Sequence, residues 1–593
     1  MALLQLYQLP IPQSFNFTNK FKQTRLNYPS IIKCALSPVV FIDNSPLVIY
    51  RPTIWSHDFI QGLDVNFPIN KKNKLNELEN KVIMPLNIGY ENGNLGILQL
   101  LEHIDDIERI GLGYRFQNEI RRALDIIISA NGSHVGLEGK EDNLHAASLR
   151  FRLLRQHGYT VSQDFLNGFK DIHGNFMECV QTDVKGLLSL YEASFLAFEE
   201  ERDLHDAKFF STEHLIKHST QANEALENID RALELPLYRR MFRFQAHWYI
   251  NAYNKKKDAN IPLLELATID FNVVQSTHKR EIKELSKWWE NKGLARKLSF
   301  VRDRIMECFF WGVGMIFEPQ YHSCRVEIAK VLSLITVIDD IYDVYGTLDE
   351  LEIFTDVVKR WDINAKEDMP KYMQVAFLAL YDTIIESGSK SSIDRGEDTI
   401  LVLVKAWGEL LEAFLMEAKW TNQEYIPTLE DYMDNAWRSV SGLVMLTHGY
   451  FLINHETKKD VGKSLENYHD LMKWSSIIYR LYNDLGTSSD EIARGKTANA
   501  ISCYMHENGV SEDVAREYIN ARIDEAWMKL IKVRVDCSQN SEDPFVDMAI
   551  NLARISLCTY QYGDDHGAPD DRAKERILSV IINHVKIKEI EYA

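Results

Sequence analysis

Apolar residues recur at helical spacing along most of the chain from about residue 72 onward. In the stretch 100–111 they fall on one helix face: Leu100, Leu101, Ile104, Ile107 and Ile110. The stretches 149–159 and 187–198 behave alike, and Val, Ile and Thr seldom alternate as they do in strands. This pattern predicts an all-α fold.

A charged, polar stretch at 253–262, YNKKKDANIP, separates two long helical regions. We therefore predict an N-terminal helical domain over about 50–255 and a C-terminal one over about 260–593. No fixed-period repeat of the solenoid type is present in the sequence.

Composition narrows the possible partners. The formal net charge of −19 argues against nucleic acid and against an anionic membrane surface. No apolar run reaches the roughly 18 residues of a membrane span. The seven cysteines form no CxxC pair, which disfavours a zinc site or a disulfide framework and favours a reducing compartment.

The first 42 residues differ from the rest of the chain. They contain Lys20, Lys22, Arg25 and Lys33, several hydroxyl residues and no acid, and Asp43 is the first carboxylate. This composition is typical of an organelle transit peptide. The alternative is a basic tail of a cytosolic protein.

The stretch 337–346, VIDDIYDVYG, places three carboxylates in an apolar helical pattern. Asp339 and Asp343 would share a helix face, with Asp340 on its flank. Acids persist in apolar surroundings where cations neutralise them, and Mg²⁺ takes such oxygen ligands and bridges to substrate phosphates. We predict a metal site, with a solvated helix end as the alternative.

Flanking signals favour the metal site. Gly346 should end the helix, and Thr347 with Glu350 forms a capping box for the next one. By contrast, Asp105 and Asp106 precede Glu108 and Arg109 in a pattern typical of an exposed polar face, so we expect both on the surface.

A second set of oxygen donors lies downstream. In NDLGTSSDE (483–491), Asn483, Thr487 and Glu491 occupy positions i, i+4 and i+8 of one helix face. An amide, a hydroxyl and a carboxylate on one face suit a single metal ion better than solvent.

Basic residues flank both sets of donors. Arg302 and Arg304 precede an aromatic stretch, Arg480 lies one turn before Asn483, and Lys496 follows Glu491. Guanidinium groups bind phosphate oxygens through two hydrogen bonds, so these residues suggest a diphosphate site. Ion pairs on the protein surface are the alternative for Arg302 and Arg304.

Together these segments resemble a plant terpene synthase. IDDIYDVYG resembles the DDxxD motif of that family, NDLGTSSDE fits its (N/D)Dxx(S/T)xxxE motif, and Arg302-Asp303-Arg304 matches its RxR element. Further similar segments are 309–321, 417–420, 435–442 and 560–567. The resemblance runs from about Trp55 to the C-terminus.

The resemblance implies an all-α, two-domain fold with a C-terminal class I catalytic bundle and an N-terminal, barrel-like helical domain. It also implies three Mg²⁺ or Mn²⁺ ions: two held by Asp339 and Asp343, with Asp340, and one held by Asn483, Thr487 and Glu491. The diphosphate would contact Arg302, Arg304, Arg480 and Lys496. No DxDD motif is present, so the N-terminal domain is expected to be structural.

The expected reaction ionises an allylic diphosphate in a dry, aromatic-lined pocket. Trp311 is the candidate wall that stabilises the cation, with Tyr560 and Tyr342 behind it. An ordinary core aromatic is the alternative for Trp311. The stretch 439–442, SVSG, should break its helix, and in the family this break lines the pocket.

One departure from the family bears on the product. Cyclising monoterpene synthases usually carry tandem arginines nine and ten residues before a tryptophan, and before Trp55 these positions hold Ser45 and Pro46. We therefore expect an acyclic product from geranyl diphosphate: linalool or geraniol by water capture, or myrcene or ocimene by proton loss. The leader argues for plastids.

Alternatives remain open at this point. They are a sesquiterpene synthase of the nerolidol type acting on farnesyl diphosphate, a cyclic monoterpene product and a non-catalytic helical scaffold. Isoprene synthases narrow their pocket with phenylalanines, whereas the comparable positions here are Leu332 and Tyr479. Besides a prenyl diphosphate we expect no nucleic acid or membrane partner, and a monomer, with a homodimer as the alternative.

Overall fold

The computed structural model describes residues 39–42, 45–48, 52–66, 72–88, 96–130, 143–220, 226–390, 396–453, 465–493, 498–537 and 543–586. The secondary-structure elements in these ranges are helical apart from one antiparallel hairpin of β1 (Val39–Ile42) and β2 (Ser45–Val48), and turns and loops connect them. The all-α prediction is confirmed. None of the described helices has the length and apolarity needed to cross a membrane.

The helices before the predicted boundary are α1 (His57–Gln61), α2 (Lys72–Ile88), α3 (Ile97–Arg109), α4 (Gln117–Ala130), α5 (Leu144–Gln156), α6 (Val184–Ser194), α7 (Arg202–Ser219), α8 (Leu226–Glu234) and α9 (Phe242–Tyr253).

The helices after it are α10 (Ile261–Lys292), α11 (Leu294–Lys297), α12 (Ile305–Met315), α13 (His322–Asp340), α14 (Leu348–Arg360), α15 (Lys371–Lys390), α16 (Gly396–Asn422), α17 (Leu429–Ser439), α18 (Gly442–Ile453), α19 (His469–Ala493), α20 (Ala500–Asn508), α21 (Glu512–Cys537), α22 (Pro544–Tyr560) and α23 (Asp571–Ile577).

Helix α10 is the longest described element and joins the two halves. It begins where the Asn260 side chain accepts a hydrogen bond from Leu263 N at 3.2 Å, and it ends at Gly293, whose φ of 63° is the left-handed conformation that glycine adopts without strain. It packs against α1 and α2 of the N-terminal half and against α12 and α13 of the C-terminal half.

A continuous apolar core runs through both halves, from Trp55 to Val585. Polar contacts reinforce this packing: Asp524 of α21 pairs with Lys208 of α7 at 2.7 Å and with Arg239 at 2.6 Å. The predicted boundary falls between Tyr253 and Ile261, but the domain limits, including a leader that would contain β1, stay predictions.

The prediction of surface positions for Asp105 and Asp106 is wrong. Asp105 Oδ1 accepts a hydrogen bond from Arg152 at 2.5 Å, and Asp106 accepts one from the Tyr249 hydroxyl at 2.6 Å. Their helix face packs against α5 and α9 instead of solvent. Long-range basic and phenolic partners, which local sequence does not reveal, satisfy both carboxylates.

Candidate active site

The C-terminal end of α13 presents the three aspartates in different environments. The α-helix ends at Asp340 and continues as a π-helical turn, Ile341–Tyr345, that closes when Gly346 N donates to Ile341 O at 2.8 Å. Asp340 is completely buried, Asp339 is partly exposed and Asp343 is exposed. The predicted helix stop at Gly346 is confirmed, as is the capping box of Thr347 and Glu350 that starts α14.

Arg302 connects the first two of these aspartates. Its Nη2 lies 2.5 Å from Asp339 Oδ2, its Nε lies 2.8 Å from Asp340 Oδ1, and its backbone N donates to Asp340 Oδ2 at 2.7 Å. Arg302, Asp339 and Asp340 therefore form one charged cluster.

Arg304 lies deeper, with 2% of its surface exposed. It donates to Asp303 O at 2.8 Å and to Gly567 O at 3.0 Å, which ties α12 to the loop after α22. Burial lowers the pKa of Arg304, while nearby Glu307 opposes that shift. A Cβ at position 567 would lie 2.3 Å from Asp564 Oδ2, so any larger residue would displace the Asp564 side chain.

Arg480 gathers the second motif of oxygen donors. Its guanidinium donates to the Ala436 carbonyl at 3.1 Å and to Asn483 Oδ1 at 3.2 Å. It also contacts Ser439 Oγ at 2.5 Å, Glu417 Oε1 at 3.1 Å and Asp484 Oδ1 at 3.4 Å. Helices α16, α17 and α19 therefore converge on one guanidinium group.

Asn483 and Thr487 lie one turn apart on α19. The Thr487 hydroxyl donates to Asn483 O at 2.8 Å, and the Asn483 side chain acts to lower the pKa of Tyr560, against the larger effect of burial. The side chain of Glu491 and the residue Lys496 lie outside the described part of the chain, so what the sequence predicts for them stays a prediction.

The helix break predicted in SVSG is confirmed. Helix α17 ends at Ser439 and α18 begins at Gly442, and Ser441 between them has a φ of 72°. Helices α17 and α18, on the two sides of the break, both pack against α19. The break thus faces the helix that carries Asn483.

An aromatic cluster lies between the two motifs. Trp311, 1% exposed, has its ring centroid 4.8 Å from that of Tyr479 and 6.1 Å from that of Tyr560. Burial raises the pKa of both phenols, which stay neutral, and the charge of Asp339 adds to the shift at Tyr479. The pKa of Tyr479 thus responds to Asp339 of the first motif, and that of Tyr560 responds to Asn483 of the second.

Tyr342 does not belong to this wall. Its hydroxyl is 2.7 Å from Thr355 Oγ1, and its ring packs against Phe354 and Phe414. The residue lies in the π-helical turn, whose geometry directs it toward α14 and α16. The expectation that Tyr342 supports Trp311 is wrong.

Sequence reasoning missed His566. Its Nε2 lies 3.1 Å from Thr336 Oγ1, its ring centroid lies 6.4 Å from that of Trp311, and its buried Nδ1 has no hydrogen-bond partner among the described residues. Burial lowers the pKa of His566 to about 3, and the charges of Arg302 and Arg304 contribute. The only signal was its place in the segment 560–567.

Two acids beside Arg480 were also missed. Asp484, completely buried, accepts hydrogen bonds from the Tyr432 hydroxyl at 2.9 Å and from Ala500 N at 2.8 Å. Glu417 accepts from Ser439 and from Arg480. Asp484 follows Asn483 directly, so the motif itself could have drawn attention to it.

The donor set suits a hard divalent cation. The two motifs offer carboxylate, amide and hydroxyl oxygens, which Mg²⁺ and Mn²⁺ prefer. Among the described side chains, no three His, Cys, Asp or Glu residues are close enough to hold a metal alone. Magnesium sites commonly use one or two carboxylates together with waters and substrate phosphate.

Comparison with known proteins adds independent information. The family "Terpene synthase, N-terminal domain" matches residues 54–233, and "Terpene synthase family, metal binding domain" matches residues 290–529. The chain is 54% identical, over all of both chains, to an (E)-beta-ocimene synthase, chloroplastic, of Matricaria chamomilla var. recutita.

Two solved structures are similar. An isoprene synthase from grey poplar leaves (Populus x canescens), in complex with three Mg²⁺ ions and dimethylallyl-S-thiolodiphosphate, has a TM-score of 0.81 and 48% identity over 90% of this chain and 99% of that one. A limonene synthase with 2-fluorolinalyl diphosphate has a TM-score of 0.87 and 38% identity over 91% of this chain and 99% of that one.

Proposed function

Because the chain belongs to the terpene synthase family, we propose that it converts geranyl diphosphate into an acyclic monoterpene and releases diphosphate. The observation that carries this proposal is the full-length similarity to an enzyme named for an acyclic product, (E)-beta-ocimene. Ser45 and Pro46, at the positions of the tandem arginines of cyclising enzymes, support the same product class.

Binding of the diphosphate falls to the basic side chains around the two motifs. Arg302 and Arg480 each already contact a side chain of a motif. The proposed set also includes Arg304, two residues after Arg302, and Lys496. Cationic donors fixed in advance stabilise the charge that develops on the leaving group, and this favours ionisation.

The proposed metal ligands are Asp339, Asp340, Asp343, Asn483, Thr487 and Glu491. When bound, Mg²⁺ or Mn²⁺ supplies Lewis-acid neutralisation of the diphosphate charge. We propose three ions, the number present in the poplar isoprene synthase complex. For Asp340, whose carboxylate contacts Arg302, positioning that arginine is part of the proposed role.

The aromatic wall stabilises the carbocation that remains after ionisation. Trp311, Tyr479 and Tyr560 present ring faces that stabilise positive charge and exclude water. An olefin then requires loss of a proton, and the buried neutral imidazole of His566 is beside the wall. Even a weak base suffices, because a carbocation is a very strong acid.

Incubation of purified protein with geranyl diphosphate and analysis of the volatiles tests this function. An ocimene or myrcene peak supports proton loss, linalool or geraniol supports water capture, and a dominant limonene or pinene peak refutes the acyclic product. Farnesyl and dimethylallyl diphosphate, assayed in parallel, separate the sesquiterpene and isoprene alternatives. EDTA followed by Mg²⁺ or Mn²⁺ tests the metal.

We also propose a plastid location. The acid-free leader of residues 1–42 supports it, and the similar ocimene synthase is named chloroplastic. A fluorescent fusion of the first 60 or so residues should enter plastids. Retention of that fusion in the cytosol contradicts the proposal.

A further inference from the structure

Trp55 is present although the arginines that usually accompany it in cyclising relatives are absent. It is 3% exposed, and its indole Nε1 donates to Glu307 Oε1 at 3.1 Å, across 252 residues of sequence. The indole thus connects the N-terminal segment 52–66 directly to α12.

The same segment is attached to α10 by separate contacts. These are His57 Nδ1 to Ser286 Oγ at 2.8 Å, Gln61 Nε2 to Lys283 O at 2.8 Å and Lys283 Nζ to Leu63 O at 2.8 Å. The α10 contacts hold the segment in place, and they offer a matched comparison because they do not involve α12.

Glu307 lies on α12 between two residues of the proposed site, Arg304 and Trp311. It lies three residues after Arg304 and four before Trp311, so it is within one helical turn of both. It is 2% exposed, and its Oε2 has no hydrogen-bond partner among the described residues. The charges that act on it are those of Arg304 and Asp303.

A buried carboxyl whose side-chain partner is a single indole N–H is costly in a helix of mainly apolar residues. A leucine would pack there without that cost but would leave the Trp55 N–H unsatisfied. The Glu307 carboxyl thus gives the Trp55 N–H an acceptor that an apolar residue at 307 would lack.

We propose that Glu307 and Trp55 form a positioning pair that fixes the first turns of α12 against the N-terminal segment, and with them Arg304 and Trp311. The pair does not touch the reacting atoms. It keeps Arg304, a proposed diphosphate-binding residue, and Trp311 of the aromatic wall aligned with the substrate during ionisation. This inference rests on the proposed function of the site.

The test uses Trp55→Phe, Glu307→Leu and the double variant in the full chain with geranyl diphosphate. Each single variant should lower kcat roughly 10-fold with KM within about twofold, because alignment for ionisation is lost and ground-state binding is not. The double variant should be no slower than the slower single variant, since one contact is lost in all three.

Two further variants separate positioning from general stability. Glu307→Gln keeps an acceptor for the indole and should retain kcat within about threefold of wild type. His57→Ala, which removes an α10 contact only, should lower the melting temperature with little change in kcat. Circular dichroism and thermal melts of every variant identify any loss of folding.

Multiplicative losses in the double variant overturn the proposal, as does a Glu307→Gln variant as slow as Glu307→Leu. Equal kcat losses for His57→Ala and Trp55→Phe also overturn it. If Glu307→Leu fails to fold, the comparison of Trp55→Phe with His57→Ala decides. An inactive wild-type protein refutes the proposed function instead, which keeps the two failures distinct.

Discussion

Glu307 couples stability to pH at the scale of a single residue. Burial raises the pKa of Glu307 from 4.5 to about 7, so between these values the folded protein keeps a proton that the unfolded chain has lost. Its contribution to stability therefore falls as the pH rises through this window, by roughly 3 kcal/mol in total.

Glu307→Gln removes this titration, so the stability of the variant relative to wild type should increase between pH 5 and pH 8. Urea denaturation at several pH values measures the difference. The exposed Glu517→Gln is the control for loss of one carboxylate. A difference between Glu307→Gln and wild type that does not change with pH contradicts the buried, proton-binding state of Glu307.

His566 gives a second prediction at this scale. His566→Phe keeps an aromatic ring beside Trp311 but removes the Nδ1 lone pair, so olefin formation should fall by about 10-fold or more, with KM nearly unchanged. Thr336→Val, which removes the Nε2 contact and leaves Nδ1, should have a smaller effect. Product analysis by gas chromatography measures both.

Because the pKa of His566 is about 3, the imidazole is neutral throughout pH 5 to 9, and its titration should add no step to the rate profile in that range. Olefin production by His566→Phe at the wild-type rate shows that another group takes the proton.

At the scale of elements, local chemistry sets the boundaries around the site. Gly346, the capping box of Thr347 and Glu350, and the Ser-Gly break before α18 were all predictable, because turn and cap residues act within a few positions of themselves. The π-helical turn was not predictable, because two aspartates four residues apart also fit a continuous α-helix.

The capping box supports this turn from its C-terminal side. Thr347 N and Oγ1 both donate to Glu350 Oε2, at 3.0 and 2.9 Å, and Asp343 lies in the turn just before them. Thr347→Ala should cost about 1 kcal/mol of stability and raise the Mg²⁺ concentration needed for half-maximal activity.

Asn143→Ala is the matched control for this variant. Asn143 caps α5 through Ala146 N at 2.8 Å, far from the motifs in sequence, so its loss should lower stability by a similar amount and leave the Mg²⁺ requirement unchanged. Equal Mg²⁺ requirements for the two variants contradict a link between the capping box and Asp343.

At the scale of the whole molecule, the sequence predicted the helical class and the two oxygen-donor motifs, because both rest on periodicity within a helix. It did not predict the contacts that complete the site. Trp55 with Glu307 and Thr336 with His566 span 252 and 230 residues, and nothing near either partner specifies the other. Asp105 was misplaced for the same reason.

The contacts of Asp524 give the last prediction, which concerns the joining of the two halves. Although burial opposes its ionisation, Arg239 and Lys208 hold the pKa of Asp524 below its ordinary value of 3.8. Asp524→Asn should cost about 1–3 kcal/mol, because the Arg239 side chain, only 10% exposed, loses a charged acceptor.

The stability cost of Asp524→Asn should be full at neutral pH. It should shrink as the pH falls below 3.8, where the wild-type carboxylate also becomes protonated. The Lys532–Glu200 pair also spans the two halves but is about half exposed on both sides, so Glu200→Gln should change stability by less than about 1 kcal/mol.

Calorimetry distinguishes a lower single transition from two separate ones. Two transitions in Asp524→Asn mean that this one carboxylate couples the halves, whereas an unchanged melting curve means that the shared apolar core suffices.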